Sequence, residues 1–190
     1  LSDLAVQHTF AQINGARFHF VEMGKGPLVI LLHGFPEMWW SWRYQIRALA
    51  DAGYRVVAPD LRGYNDTEQK GPYDIETLAT DVLKLIHYCG EEKAIVIGHD
   101  WGGAIAWQFG AMYPEACKKL VVLNCPHPAQ MERALRKNRK QLRKSWYMFY
   151  FQLPLLPEFT LTCGNAASVR SIYRKSAINL THFSEEEIAP

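Results

Sequence analysis

Three short segments dominated by apolar residues set the fold class of this 190-residue chain. They are Leu28–Leu32, residues 55–60 and residues 94–98. Each is too short for a typical helix and has the composition of a strand that is buried on both faces. Between them, apolar residues recur at helical spacing, as at Leu78, Val82 and Leu85. This alternation predicts an α/β fold, with a mostly parallel sheet flanked by helices and joined by right-handed crossovers.

Further strands are expected on either side of these segments. Residues 4–10 and 17–23 read as two strands around a hairpin turn at Asn14-Gly15, and residues 120–123 as another. After Asn124 the alternation stops, and the rest of the chain has helical patterns with many aromatic residues. We therefore expect a core over residues 1–124 and a helical insertion over residues 125–190.

Composition excludes several classes of protein. A net charge of +2 and 21% charged residues indicate no general preference for nucleic acid, and no apolar run is long enough to cross a membrane. Residues 133–144 hold seven basic residues and no acidic one, which we interpret as a solvated helix face rather than an anion-binding patch. The four cysteines are scattered, so we expect no metal, no cofactor and a reducing, cytoplasmic location.

The segment at residues 98–103 carries the chemistry. Its sequence, GHDWGG, follows a predicted strand and precedes a predicted helix, which is the pattern of a nucleophile elbow with Asp100 at its centre. Side chains at Gly98 and Gly102 would collide across so tight a turn. A carboxylate attacks carbon without needing a base and forms an ester. The alternative, that Asp100 merely caps the helix, is less favoured because the whole context fits.

Taken together, the motifs resemble the epoxide hydrolase branch of the α/β-hydrolase superfamily across essentially the whole chain. The matching segments are residues 33–37 (HGFPE), 41–45 (SWRYQ), 60–64 (DLRGY), 98–103 (GHDWGG), 145–147 (SWY) and 151–152 (FQ). The resemblance implies an α/β-hydrolase core (residues 1–124) and an incomplete helical cap (residues 125–190). It also implies a detoxifying hydrolase of ether bonds that opens an apolar epoxide to a vicinal diol with water, through an ester on Asp100.

The family pattern assigns roles to two groups of residues. Asp100 would be the nucleophile and Tyr147, five residues before Gln152, the proton donor, with Tyr150 as the less favoured candidate. The backbone N–H groups of Phe35 and Trp101 would form the oxyanion hole. Residues expected to line the substrate pocket are Phe35, Pro36, Trp101, Met148 and Phe151.

Neighbouring residues receive structural interpretations. We expect His33 to bond its own loop rather than act as a base, and His99 to point away into the fold. Asn65 stands where the family often has Gly, and Asn tolerates the left-handed conformation that the turn needs.

The family's catalytic His, its orienting acid and a second cap Tyr match no position of this sequence. We therefore expect these 190 residues to be the N-terminal two-thirds of such an enzyme, with the last strands and helices of the sheet beyond Pro190. The pair Ser184 and Glu187 has the spacing of a capping box that opens another helix. The expected partners are a small epoxide and water, with no nucleic acid, and a homodimer is left open.

Two other functions compete. A haloalkane or haloacid dehalogenase uses the same Asp elbow, but such enzymes usually place Asn where Phe35 stands, or Arg where Trp101 stands. A ligand receptor with the hydrolase fold is the rival from another class, and those usually keep Ser at the elbow.

Overall fold

The computed structural model describes residues 4–176, and its first part is a six-stranded mixed sheet. The strands are β1 (Gln7–Ile13), β2 (Ala16–Met23), β3 (Leu28–Leu32), β4 (Arg55–Pro59), β5 (Ala94–His99) and β6 (Cys117–Leu123). Their spatial order is β1-β2-β4-β3-β5-β6. β3 to β6 run parallel, and β1 and β2 are antiparallel to their neighbours. The predicted α/β class is confirmed.

The helices follow the predicted alternation. A 3₁₀ turn (Trp39–Trp42) precedes α1 (Arg43–Asp51), and α2 (Ile75–Tyr88) and α3 (Trp101–Met112) connect the later strands. Beyond the sheet come α4 (Pro128–Lys137), α5 (Arg139–Lys144), α6 (Trp146–Tyr150) and α7 (Leu156–Ser176). Within the part of the chain that is described, no helix combines the length and hydropathy of a membrane span.

The predicted hairpin at Asn14 and Gly15 is confirmed, with positive φ values of 47° and 79°. β1 begins and ends three residues later than expected, because Ile13 pairs with Ala16 directly beside the turn. β6 likewise begins three residues earlier than predicted, at Cys117, where Ala94 pairs with it.

β3 explains why the centre of the sheet is apolar throughout. All five of its residues are buried, and their side chains alternate between the two faces of the sheet. Leu28, Ile30 and Leu32 join the cluster formed with α2 and α3, whereas Val29 and Leu31 join the one formed with Trp42 and Ile46. A strand between two helical layers has no solvent-facing side, so its sequence cannot alternate between apolar and polar residues.

The contacts divide the chain into two compact units, the first ending at Pro128 and the second starting at Ala129. The described residues of the second unit form the helices α4 to α7. Its seven clustered basic residues lie on two helices, with Asn138 capping the second by accepting from the N–H groups of Lys140 and Gln141. The expected capping box at Ser184 and Glu187 lies outside the described residues.

Candidate active site

Asp100 stands between β5 and α3, in the predicted strand–turn–helix context. Its backbone has φ 50° and ψ −115°, a conformation that costs free energy for a residue with a side chain. The surrounding main chain holds this conformation. The Asp100 N–H donates to the Leu123 carbonyl across 3.1 Å, and the Asp100 carbonyl accepts from Gly103 N at 3.0 Å. The residue is thus anchored to the end of β6 and to the first turn of α3.

The glycines of the elbow are required by close backbone approaches, as predicted. A Cβ on Gly98 would collide with the carbonyl oxygen of Gly102. A Cβ on Gly102 would collide with the carbonyl oxygen of Leu32 and lie 2.5 Å from that of His33. The Gly102 N–H also donates to the His33 carbonyl across 3.0 Å. The first turn of α3 therefore packs directly on the main chain that follows β3.

The Asp100 carboxylate does not cap its own helix, although Asp100 occupies the N-cap position. Instead, its Oδ1 accepts a hydrogen bond from the Phe35 N–H at 3.1 Å. A Cβ on Gly34 would lie 2.6 Å from Asp100 Cβ, so the loop after β3 touches the elbow. The simple capping alternative is therefore wrong for the side chain, which is directed at the neighbouring loop.

Phe35 and Trp101, the two residues expected to supply oxyanion N–H groups, both lie at this junction. Each side chain is 39% exposed. Trp101 is the first residue of α3, where backbone N–H groups have no partner within the helix. Pro36 follows Phe35 through a cis peptide bond and is half-buried. The positive end of the α3 dipole and the Phe35 N–H both favour negative charge here.

His33 is fully engaged by its own surroundings. Its Nδ1 bonds the Gly34 carbonyl at 2.9 Å, and its Nε2 accepts from the Leu61 N–H at 3.0 Å. Burial lowers the pKa of this imidazole, so it stays neutral. The expectation that His33 bonds its own loop is confirmed.

His99, which we expected to point away into the fold, is half-buried, and both of its ring nitrogens have polar partners. Its Nδ1 bonds Glu37 Oε2 at 3.3 Å, and its Nε2 meets Asn124 Nδ2 at 3.0 Å. The hydrogen bond with Glu37 raises the pKa of His99. Burial acts to raise the pKa of Glu37, but the bonds from His99 and from the Gly34 N–H outweigh it and lower that pKa.

Glu37 is thus a positioning residue to which sequence reasoning assigned no role. One oxygen, Oε2, accepts from both His99 and the Gly34 N–H, at 3.3 and 3.1 Å. The signal was available, because an acidic residue three positions after Gly34 matches the family motif. Its contribution depends on a tertiary contact across the elbow, which sequence spacing does not reveal.

Tyr64 is a second residue missed by sequence reasoning. It is half-buried, with its ring 4.9 Å from the His33 ring. Burial and the charge of Asp100 raise its pKa to about 12, so its hydroxyl stays protonated. Asn65, next in sequence, has φ 41°, which confirms the left-handed turn, and its amide donates to Asp60 Oδ2 at 2.8 Å.

A polar cluster around Asp60 holds the loop that carries Tyr64. A ring nitrogen of His19 and carboxylate oxygens of Asp60 and Asp66 lie within 4.8 Å of one another, a spacing at which such atoms could hold a metal ion. However, Asp60 Oδ2 already bonds His19 Nδ1 at 2.6 Å as well as Asn65, and Oδ1 accepts from the Trp39 N–H at 3.0 Å. A buried carboxylate with three such partners is satisfied by the protein itself, so this cluster positions the loop.

The predicted cap residues all lie in the second unit, on and beside α6. The rings of Tyr147 and Phe151 are 6.4 Å apart in an edge-to-face arrangement, so the two side chains lie on the same side of α6. Met148 is exposed beside them. Tyr150 is turned elsewhere, with its hydroxyl bonded to Thr160 Oγ1. This arrangement favours Tyr147 over Tyr150 as the available phenol.

Comparisons with known proteins agree with this geometry. Residues 27–170 match the family described as alpha/beta hydrolase fold. An AB hydrolase superfamily protein of Bacillus subtilis is 48% identical over 161 residues, which cover 82% of this chain and 56% of that protein. Human epoxide hydrolase 4 is 42% identical over 173 residues, which cover 87% of this chain and 48% of that protein. The chain thus spans about half the length of these curated relatives.

A solved structure extends the likeness to three dimensions. The Bacillus megaterium epoxide hydrolase, crystallised with an inhibitor, superimposes with a TM-score of 0.88 at 32% identity. The match covers 95% of this chain and 64% of that one. With the elbow, the mixed sheet and the sequence match in agreement, this chain belongs to the α/β-hydrolase fold family.

Proposed function

We propose that this chain carries the ester-forming half of an epoxide hydrolase site. The observation that supports it most is the hydrogen bond that the Asp100 carboxylate accepts from the Phe35 N–H, in place of a bond to the N-terminus of its own helix. That hydrogen bond occupies Oδ1 and leaves Oδ2 as the attacking oxygen. A carboxylate with one oxygen in a donor site and the other unengaged is prepared for nucleophilic attack.

In the first step, Oδ2 attacks an epoxide carbon and forms the ester bond. The ring C–O bond breaks, and its electron pair stays on the epoxide oxygen. An alkoxide is a poor leaving group, so a hydrogen-bond donor must supply a proton as the bond breaks. Tyr147 is the candidate, and the likeness to epoxide hydrolases supports this assignment.

In the second step, water adds to the ester carbonyl, whose oxygen is Oδ1. The negative charge that develops there meets the Phe35 N–H and the amide end of α3, where Trp101 lies. Collapse of the tetrahedral intermediate releases the vicinal diol and restores the Asp100 carboxylate. We assign the water-activating base to neither His33 nor His99, because both ring nitrogens of each are engaged.

The pocket residues follow from the same proposal. We assign substrate contacts to Phe35, Pro36 and Trp101 at the elbow, and to Met148 and Phe151 in the second unit. Their apolar side chains suit an apolar epoxide. Phe35 also argues against a dehalogenase, because its side chain has no N–H or O–H group that could donate a hydrogen bond to a departing halide.

Covalent trapping tests this proposal. The protein is incubated with styrene oxide, digested, and analysed by mass spectrometry for an ester on the peptide that contains Asp100. We expect the adduct in the native protein and its loss in Asp100→Asn. No adduct in the folded protein would support the receptor alternative. Halide release from 1-bromobutane together with no reaction of the epoxide would support the dehalogenase.

A further inference from the structure

The second unit has a charged surface that the proposed chemistry does not use. Residues 129–190 contain ten Lys and Arg against five Asp and Glu, whereas residues 1–128 contain eleven Lys and Arg against fourteen Asp and Glu. Seven of the ten lie within residues 133–144, on α4 and α5, and all seven are exposed. We call these seven residues the basic strip; the sequence alone favoured a solvated helix face here, and the exposed aromatic residues next to it change that interpretation. Glu132 is the one acidic residue on these two helices, and it pairs with Arg136 at 2.6 Å.

Exposed aromatic side chains follow the basic strip directly. Trp146 and Phe149 are 62% and 59% exposed. At helical spacing they share one face of α6 with Tyr150, whose ring lies tilted against that of Trp146 with 5.6 Å between the ring centroids. Tyr147 contacts Phe151 on the other face, which the proposed epoxide chemistry uses. Trp146 and Phe149 are therefore available for a separate interaction.

We propose that the basic strip, with Trp146 and Phe149, is a docking surface for an anionic lipid membrane. Clustered Lys and Arg attract anionic headgroups, and an adjacent Trp and Phe enter the interfacial region, where amphipathic and apolar rings are stabilised. A nucleic acid fits less well, because the neighbouring exposed side chains include Leu153 and Leu155, which have no ring to stack on a base. This surface would hold the protein at the lipid membrane, in which apolar epoxides dissolve.

Vesicle co-sedimentation tests the surface independently of any turnover. Vesicles of phosphatidylcholine with about 30% phosphatidylserine are compared with pure phosphatidylcholine, at about 0.05 M and about 0.5 M salt. We expect binding to the anionic vesicles at low salt. Binding to the neutral vesicles, and binding to the anionic vesicles at high salt, should each be weaker by at least about tenfold. No binding to anionic vesicles at low salt would overturn the proposal.

Two variants of equal charge locate the surface. Arg139, Lys140, Arg143 and Lys144 are changed together to Glu in one, and the exposed Lys84, Lys93, Lys118 and Lys119 together to Glu in the other. We expect the first to weaken binding at least about tenfold and the second less than about threefold. Equal losses would show a response to net charge alone and overturn the assignment to the basic strip.

A third variant tests the aromatic pair, and a competitor tests the class of partner. Trp146→Ser with Phe149→Ser should lower the binding that persists at high salt by about fivefold, because that part does not depend on charge. Unchanged binding at high salt would show that Trp146 and Phe149 are not part of the docking surface. Tighter retention on double-stranded RNA than on anionic vesicles would overturn the choice of lipid. The Asp100 adduct forms without vesicles, so failure here leaves the proposed function standing.

Discussion

The main-chain N–H of Phe35 donates a hydrogen bond to Oδ1 of Asp100 across 3.1 Å, joining the loop after β3 to the elbow after β5. Two parallel neighbouring strands thus deliver the donor and the acceptor to the same edge of the sheet. A main-chain donor cannot be lost by mutation of its side chain. The geometry of this contact therefore depends on the residues that pack the two loops together.

Gly102→Ala should break that packing. The added Cβ would meet the carbonyl oxygens of Leu32 and His33, which are main-chain atoms of a buried strand and its loop and cannot rotate away. We expect a loss of about 3 kcal/mol in the free energy of unfolding, measured with urea, and loss of the Asp100 adduct.

The matched control lies on the same helix. A Cβ on Gly110 meets the flexible end of Leu120 at 3.2 Å, so Gly110→Ala should change stability by less than about 1 kcal/mol. Similar losses in both variants would argue against a special constraint at the elbow.

Tyr147→Phe tests the proton donor. Opening an epoxide needs a proton for the departing oxygen, so we expect Asp100 ester formation with styrene oxide to slow about 100-fold. Tyr147 is exposed, so the same variant should unfold in urea within about 0.5 kcal/mol of the native protein. Tyr150→Phe removes the bond to Thr160 and should affect stability, by about 1 kcal/mol, more than rate. Ester formation at the native rate in Tyr147→Phe would contradict its role as proton donor.

The ion pair between Glu37 and His99 should make stability depend on pH. The pKa of His99 is raised above 6.5, so its contribution is complete below that value and is lost as the pH rises through the higher folded pKa. The pKa of Glu37 is lowered below 4.5, so its contribution is complete above 4.5 and is lost as the pH falls through the lower folded pKa.

Both charges are therefore present between pH 4.5 and 6.5. Glu37→Gln should cost about 1 kcal/mol of unfolding free energy in that window, and less above it as His99 loses its proton. Urea unfolding of both proteins on each side of pH 6.5 checks this. A cost that does not vary with pH would mean that the hydrogen bonds matter and the charges do not.

The buried ion pair of Arg62 and Asp81 should be far more sensitive than an exposed one. Arg62 Nε and Nη2 donate to the two Asp81 oxygens at 2.7 and 2.6 Å, and both side chains are buried. Asp81→Asn leaves the guanidinium without its counter-charge and should cost about 3–5 kcal/mol. Asp51→Asn removes the partner of Arg47 at the surface and should cost less than about 0.5 kcal/mol. Chemical denaturation of the two variants side by side measures the difference.

The cysteines should react in an order set by burial. Cys163 is exposed, whereas burial raises the pKa of Cys89 to about 11 and raises those of Cys117 and Cys125. A disulfide reagent at neutral pH should therefore label one thiol rapidly, and Cys163→Ser should abolish that phase. Cys89 should react after unfolding. Rapid labelling of Cys89 in the native state would contradict its packing in the core.

The fold and the elbow could be predicted because their signals are local. A five-residue apolar strand such as β3 and a glycine pattern around Asp100 need no knowledge of distant contacts. The placements of His99 and Glu37 could not be predicted in the same way, since they depend on how two loops meet. His99 was expected to point away from the elbow into the fold, but the sequence does not name its partners. Its ring nitrogens bond Glu37 and Asn124, which lie in the segments after β3 and β6.

The backbone of Asp100 has one further consequence. Its conformation is held from three directions, by the carbonyl of Leu123, by the N–H of Phe35 against its side chain, and by the first turn of α3. Leu123 and Phe35 lie far from Asp100 along the chain and reach it only when β3, β5 and β6 have paired. Under the proposed function, a covalent label on Asp100 would therefore count the folded molecules in a sample and report their correct assembly.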